Sequence, residues 1–192
     1  LGLPFETDAS AIEDELDALV DPKELACRLA AAKARAVARR YPESVVLAAD
    51  TLGVLGGHLL GKPRHPEEAT AILRALRGTW HEVITGVAVI NGDCGQDVVA
   101  AEITRVLMRP YSDEEIAAYV ASGDPMDKAA AYAIQNHAFR PVKQVDVCYT
   151  NVMGLPLCTT RELLIMAGVA VPGSGDLLRT RACPYCQRAR TL

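Results

Sequence analysis

The segment from 81 to 109 constrains the fold most, because it holds two long runs of strand character in direct succession. "HEVITGVAVI" at 81–90 and "QDVVAAEITRVLMR" at 96–109 are rich in β-branched residues, and "NGDCG" between them is typical of a turn. Two such runs joined by a short turn predict neighbouring strands. A sheet is therefore central to any fold that this chain can form.

Further strands and helices are predicted around this pair. "SVVLAA" at 44–49 indicates a short strand, and "TLGVLGGHLLG" at 51–61 indicates a hairpin, with Gly56-Gly57 as a two-residue turn. Helices are predicted at 21–40, 65–78, 112–122 and 156–168, and another strand at 145–154. The elements do not follow a strict βαβ alternation, which favours an α/β or α+β protein with a mixed sheet and flanking helices. We expect one domain over 1–171 and a polar tail over 172–192.

Composition excludes several classes of function. Of the 192 residues, 50% are hydrophobic and 23% are charged, which is ordinary for a soluble globular protein. A net charge of −4 argues against nucleic-acid or membrane-surface binding, which uses a basic patch. No apolar run approaches the roughly 18 residues of a membrane span, and the first residues do not resemble a secretory signal. We therefore expect a cytoplasmic protein whose six cysteines are reduced thiols.

The helix predicted at 21–40 carries a lysine on its apolar face. Asp21 can cap the helix, Pro22 suits its first position, and Glu24 is placed for a capping box. Lys33 follows Leu29 by four residues and so lies on the same stripe. The commoner outcome for such a lysine is that its stem lies on the apolar surface and its ammonium group reaches water. The alternative is that it contacts a partner at the edge of a cleft.

Charged and polar residues follow the predicted strands. Asp50 ends an apolar run, where ligand-binding groups of α/β sheets often lie, although aspartate at a strand end more often forms a turn. Thr51 adds a hydroxyl group beside it. Lys62 precedes Pro63, which restricts its backbone, but a lone surface lysine is usually solvated. A later loop, "DPMDKAAAYAIQ" at 124–135, concentrates polar side chains as functional loops do.

The tail contains "CPYC" at 183–186, a motif with two alternative interpretations. The same letters occur in glutaredoxins, but there they follow a strand and open a helix. One CxxC is also half of a zinc site, and the sequence has no second CxxC to complete it. A thiol or metal-binding role through Cys183 and Cys186 stays open as an alternative function.

Four separated motifs together resemble the Maf family of nucleoside triphosphate pyrophosphatases. They are "VVLAADT", "LLGKPRHPEEATAILRALRGTWHEVITGVAV", "YSDEEIAAYVASGDPMDKAAAYAIQ" and "NVMGLPL", in the family's order and spacing. The "ADT" and "DKAxAYxIQ" forms look like the branch that acts on dTTP and UTP. The resemblance implies a mixed, twisted sheet with flanking helices and two lobes around a cleft. It also implies a nucleoside triphosphate substrate, a divalent metal such as Mg²⁺, and a homodimer as a candidate assembly.

The resemblance also implies the site residues. Asp50 would be the catalytic proton acceptor, with Glu13, Lys33 and Lys62 in the same site. Asp50 and Glu13 would hold the metal, because hard carboxylate oxygens suit Mg²⁺. The substrate-binding residues that the resemblance implies are Thr51, Asp127, Lys128 and Gln135, with Thr51 and Gln135 acting in base selection.

Two departures from the family pattern bear on these expectations. The family's N-terminal "LASxSPRR" loop has no counterpart here, which predicts either a fragment or a protein without part of its phosphate site. The second case would give a nucleotide-binding relative with impaired catalysis. In addition, "DKAAAYAIQ" replaces "DKAGAYGIQ", so alanine takes positions where glycine permits positive φ or close backbone approach.

Overall fold

A single antiparallel sheet forms the centre of the molecule. The computed structural model describes residues 1–10, 12, 20–92 and 95–172. Across this part of the chain the sheet has five strands in the order β2-β1-β3-β4-β5. Their bounds are β1 Val45–Leu55, β2 His58–Leu60, β3 Trp80–Asn91, β4 Gln96–Met108 and β5 Val142–Asp146.

The predicted hairpins account for this arrangement. β3 and β4 pair over their full length, from Trp80 opposite Leu107 to Asn91 opposite Gln96. The turn between β1 and β2 contains Gly56 at φ 57° and Gly57 at φ 83°, the positive φ pair that a type I′ turn requires. The α/β class is confirmed. Where a mixed sheet was expected, every pairing among the described strands is antiparallel. Short turns impose that direction on β1 with β2 and on β3 with β4.

Five α-helices cover the two faces of the sheet in the described residues. Capping fixes the starts of two of these helices. The Asp21 side chain accepts the backbone N–H groups of Lys23 and Glu24, as predicted for a cap, and Ser112 and Glu115 form a complete capping box. The bounds are α1 Pro22–Ala38, α2 Pro66–Leu76, α3 Asp113–Ala121, α4 Tyr149–Val152 and α5 Leu157–Met166. None of the described helices is long and apolar enough to cross a lipid bilayer.

The two faces have separate cores. On the face that α1 covers, here called the α1 face, Leu25 and Leu29 pack against Leu52 and Val54 of β1. On the opposite face, apolar residues of α5 pack against β3, and a larger core joins α2, α3 and the segment before β5. Because side chains alternate along a strand, consecutive residues of β1 point to different faces.

The prediction of a strand at 145–154 is wrong. β5 ends at Asp146, and the short helix α4 begins at Tyr149. Between them Val147 has φ 94°, which is incompatible with extended backbone and turns the chain out of the sheet. The predicted two lobes and cleft stay a prediction, as does the division into a domain and a tail. Residues 183–186 lie outside the described residues.

Candidate functional site

A contact between α1 and β1 forms the centre of the candidate site. The Nζ atom of Lys33 donates to Oδ1 of Asp50 in a short ion pair. Asp50 is buried, with 6% of its side chain exposed, and Lys33 keeps 19%. Of the two alternatives for Lys33, the structure shows the second, since the lysine contacts a carboxylate rather than ending in water alone.

Small residues bring α1 close enough for this contact. Ala26 and Ala30 are fully buried against the sheet, and Gly86 lies directly opposite Asp50 in the pairing of β1 with β3. A Cβ atom built on Gly86 would lie 2.2 Å from the carbonyl oxygen of Ala26. The missing side chain therefore allows the helix to approach β3 at the level of Asp50.

Thr51 faces the other side of the sheet and joins a buried polar network. Its Oγ1 lies 2.9 Å from Oγ1 of Thr85, which donates to the backbone oxygen of Asn151 at 3.2 Å. The side chain of Asn151 donates to the carbonyl oxygen of Val83 at 3.0 Å and to Oγ1 of Thr104 at 2.9 Å. The side chains of the neighbours Asp50 and Thr51 thus point to opposite faces of the sheet.

The loop that carries Lys62 lies next to the segment 127–131. The backbone N–H of Ala130 donates to the carbonyl oxygen of Gly61 at 3.1 Å. The exposed Lys62 follows this bonded residue directly. β2 pairs only with Gly53–Leu55 of β1, so among the described residues no strand covers that edge of β1 beside Asp50.

Asp127 and Lys128 form an ion pair. Lys128 Nζ lies 2.7 Å from Oδ1 of Asp127 and 3.3 Å from Oδ1 of Asp124. The hydrogen bond to Asp127 raises the pKa of Lys128, and the same bond lowers the pKa of Asp127. Asp124 also accepts from the Tyr119 hydroxyl at 2.6 Å, and this bond lowers its pKa. These contacts order the loop that leads to Gln135.

Gln135 lies on a surface pocket of about 490 Å³. The pocket is formed by the loop that contains Gln135, by β5 and by the start of α4. Its lining includes the basic residues Arg140 and Lys143 and the ring of Tyr149, but no carboxylate. The lining residues are Ile134, Gln135, Asn136, His137, Arg140, Val142, Lys143, Gln144, Val145 and Tyr149.

The remaining predicted metal ligand cannot be located in the fold, because Glu13 lies outside the described residues. Within the described parts of the chain, no group of three or more His, Cys, Asp or Glu residues is placed to hold a metal. Among the described residues, Asp50 supplies carboxylate oxygen atoms at the Lys33 contact. Such a carboxylate fits Mg²⁺ when substrate phosphates complete the coordination.

The buried hydrogen-bond network that Thr51 joins was not predicted from the sequence. Thr85 and Thr104 stand within apolar strands, where a threonine is unremarkable as a β-former. Asn151 belongs to the "NVMGLPL" motif, but nothing in the motif indicates its bonding partners. The available signal was the alternation in β1 and β3, which places positions 51 and 85 on one face once the register is known.

Known proteins resemble this chain over most of its length. A family model described as "Maf-like protein" matches residues 1–167. A dTTP/UTP pyrophosphatase of Thermomicrobium roseum is 46% identical over 190 residues, covering 98% of this chain and 86% of the relative. Proteins with the same description in Pelotomaculum thermopropionicum and Geobacter sulfurreducens are 43% and 45% identical, covering 89% and 87% of this chain and 90% and 87% of the relatives. The family match and these identities agree, and the chain belongs to the Maf-like protein family.

Proposed function

We propose that the chain is a nucleoside triphosphate pyrophosphatase that hydrolyses dTTP and UTP to the monophosphate and pyrophosphate. The Lys33–Asp50 contact carries this proposal, because it joins a carboxylate and an ammonium group beside a strand edge that β2 leaves unpaired. The description of the relatives as dTTP/UTP pyrophosphatases supports the choice of substrate.

Asp50 is the proposed general base. Its carboxylate accepts a proton from water as the water oxygen attacks the α-phosphorus, and pyrophosphate leaves with the electron pair of the broken P–O bond. In the free protein the ammonium group of Lys33 donates to this carboxylate. Phosphate oxygens offer Lys33 a second partner, so substrate binding frees Asp50 to accept the proton. Lys62 holds a further phosphate oxygen as a point charge.

The proposed metal ligands are Asp50 and Glu13. A bound Mg²⁺ would neutralise charge on the phosphates. Thr51 and Gln135 are proposed to contact the base, and Asp127 with Lys128 to order the loop that carries Gln135. Since Asp50 and Thr51 point to opposite faces, the nucleotide crosses the edge of β1, with phosphates on the α1 face and the base on the other.

Pyrophosphate release from a panel of nucleoside triphosphates with Mg²⁺ tests the proposal. We expect turnover of dTTP and UTP, and a loss of about 10²–10⁴-fold in kcat for Asp50→Asn, because the general base is removed. Asp97→Asn is the matched control, since Asp97 also pairs with an α1 cation, Arg35, but at an exposed position. It should retain wild-type kcat.

Two outcomes would contradict the proposal. Wild-type turnover by Asp50→Asn would exclude Asp50 as the base. Binding of dTTP or UTP without pyrophosphate release by the wild type would instead indicate the impaired nucleotide-binding relative. A Cys183→Ser, Cys186→Ser double variant that loses the activity would favour the thiol or metal role of the tail.

A further inference from the structure

We propose that His81 is a positioning residue for the substrate-binding segment 128–135. It holds this segment through the hydroxyl group of Tyr132, so that Lys62 and Gln135 keep the positions in which they contact the nucleotide. The inference rests on the proposed function and deepens it, because it names the residue that orients two of the proposed substrate contacts.

The segment 128–135 has a backbone conformation that its own residues do not favour. Ala130 and Ala131 have φ angles of 58° and 59°, and both residues are buried. This left-handed region is unfavourable for an L-residue, and two such residues in succession are uncommon. Strain of this kind persists only where the surrounding structure determines it, and it is concentrated at ligand-binding sites. Contacts from outside the segment must therefore hold it.

The contact between His81 and Tyr132 fixes the middle of the segment. Nε2 of His81 lies 2.8 Å from the Tyr132 hydroxyl oxygen, and the two rings meet edge to face with their centroids 5.4 Å apart. Only 3% and 7% of these residues are exposed, so the hydroxyl group requires a partner inside the protein. His81 lies on β3, which has β1 on one side and β4 on the other. The histidine ring is therefore a rigid point to which Tyr132 is attached.

From Tyr132 the constraint extends back to the loop that carries Lys62. The backbone N–H of Ala130 donates to the carbonyl oxygen of Gly61 at 3.1 Å, and Lys62 is the next residue. Ala130 also packs directly on β1, since a Cβ atom built on Gly53 would lie 2.7 Å from its methyl group. A displacement of Tyr132 would move Ala130, two positions earlier, and with it the support of the Lys62 loop.

The constraint also extends forward to Gln135. Ala133 follows Tyr132, and its N–H donates to the Tyr119 hydroxyl at 3.0 Å. The carbonyl oxygen of Ala133 accepts the N–H of Asn136 at 3.1 Å, which closes a turn around Gln135. The residues on which this turn is built thus lie beside Tyr132, and the orientation of Gln135 depends on where Tyr132 is held.

Tyr132→Phe tests the inference, with Tyr111→Phe as the matched control. Each substitution removes one hydroxyl group from the same core, and both tyrosines are buried. The hydroxyl of Tyr111 donates to the carbonyl oxygen of Leu73 in α2 and not to the segment. We expect the KM for UTP to rise by about 10-fold in Tyr132→Phe, with kcat within about 2-fold of the wild type, because binding contacts are displaced while Asp50 is untouched. Tyr111→Phe should keep the wild-type KM.

Variants of His81 test whether it acts through Tyr132. His81→Phe should raise the KM as Tyr132→Phe does, and the double variant should be no worse than the worse single variant, since all three lack the same bond. His81→Gln, whose side-chain amide can replace Nε2 in that bond, should restore a KM near that of the wild type. An unchanged KM in Tyr132→Phe, an equal rise in Tyr111→Phe, or additive effects in the double variant would overturn the inference.

The remaining outcomes separate this inference from the proposed function. If His81→Phe does not fold, Tyr132→Phe still decides, because it leaves both rings in the core. If the wild type releases pyrophosphate from no nucleotide, the proposed function fails by itself. Calorimetric titration of the wild type, Tyr132→Phe and Tyr111→Phe with UTP then tests the inference, which predicts weaker binding in Tyr132→Phe alone. Equal affinities, or no binding by any of the three, would overturn it.

Discussion

Ala130 adopts a left-handed backbone conformation in the segment that resembles the family motif "DKAGAYGIQ". Its φ is 58° and its ψ is 18°, and the residue is almost fully buried. An L-residue in this region costs roughly 1–2 kcal/mol compared with glycine. The sequence departure at Ala130 therefore has a physical consequence, whereas Ala133, the second departure, is not among the residues with positive φ.

Ala130→Gly should change the free energy of unfolding by no more than about 0.5 kcal/mol. The relief of backbone strain offsets the lost methyl contact and the greater freedom of the unfolded chain. Ala71→Gly, at an exposed position in the middle of α2, should cost about 1 kcal/mol because no strain is relieved. Urea unfolding of both variants measures the difference. Equal losses would mean that Ala130 is unstrained.

Residues of the site differ in how far sequence could reveal them. Lys33 and Asp50 belong to recognisable patterns, a lysine on an apolar stripe and a carboxylate after an apolar run. The expectation that the strand ends at Asp50 is wrong, because β1 continues to Leu55. Their contact depends on how closely α1 lies to the sheet, which no local pattern reports. Thr85 and Asn151 could not be predicted, because their roles depend on a register between strands and on hydrogen bonds across 66 positions of sequence.

At the level of elements, the approach of α1 to β3 positions the ion pair. The buried face of α1 is mostly alanine, and Gly86 places no side chain between β3 and the backbone of this helix. Helix and strand backbones are therefore in contact at this level. A helix with larger residues on the same face would hold Lys33 farther from Asp50.

Gly86→Ala should lower the free energy of unfolding by about 1–3 kcal/mol, since the new Cβ meets backbone atoms that cannot rotate away. It should also lower kcat, because α1 must shift and Lys33 moves with it. Ala88→Gly, the next position of β3 on the α1 face, should cost about 1 kcal/mol while kcat is retained. Normal kcat in Gly86→Ala would show that the ion pair tolerates movement of the helix.

Elements with local signals were predicted well. The capping residue Asp21 located the start of α1, and the Gly56-Gly57 turn located the first hairpin. The strand at 145–154 failed because its apolar and β-branched composition suits a strand, whereas the backbone at Val147 does not continue one. Composition cannot report a single residue whose conformation is imposed by the packing around it.

At the scale of the whole molecule, the buried His81 makes the free energy of unfolding depend on pH. Only 3% of the residue is exposed, and its Nε2 lies 2.8 Å from the hydroxyl of Tyr132. Burial lowers the pKa of His81 from 6.5 to about 4. Above pH 6.5 both folded and unfolded chains hold a neutral ring. Between pH 6.5 and 4 the unfolded chain gains a proton that the folded protein does not, so folding becomes less favourable.

His81 is expected to lower the free energy of unfolding by about 3 kcal/mol between pH 7 and pH 4. Urea unfolding at several pH values measures it. The double variant His81→Phe, Tyr132→Phe removes both hydrogen-bond partners and should reduce the loss by that amount. His65→Gln, at an exposed histidine, should leave the pH dependence unchanged. An equal pH dependence in the double variant would mean that other groups cause the loss.

The opposite orientation of Asp50 and Thr51 also affects how members of such a family can diverge. Substitutions around Thr51 alter what lies on one face of β1, while Lys33 and Asp50 remain packed on the other. With the roles proposed for Thr51 and Asp50, base preference and hydrolytic chemistry can therefore change in separate mutational steps. Insertion or deletion of one residue in β1 ahead of Asp50 would instead exchange the two faces and remove both properties together.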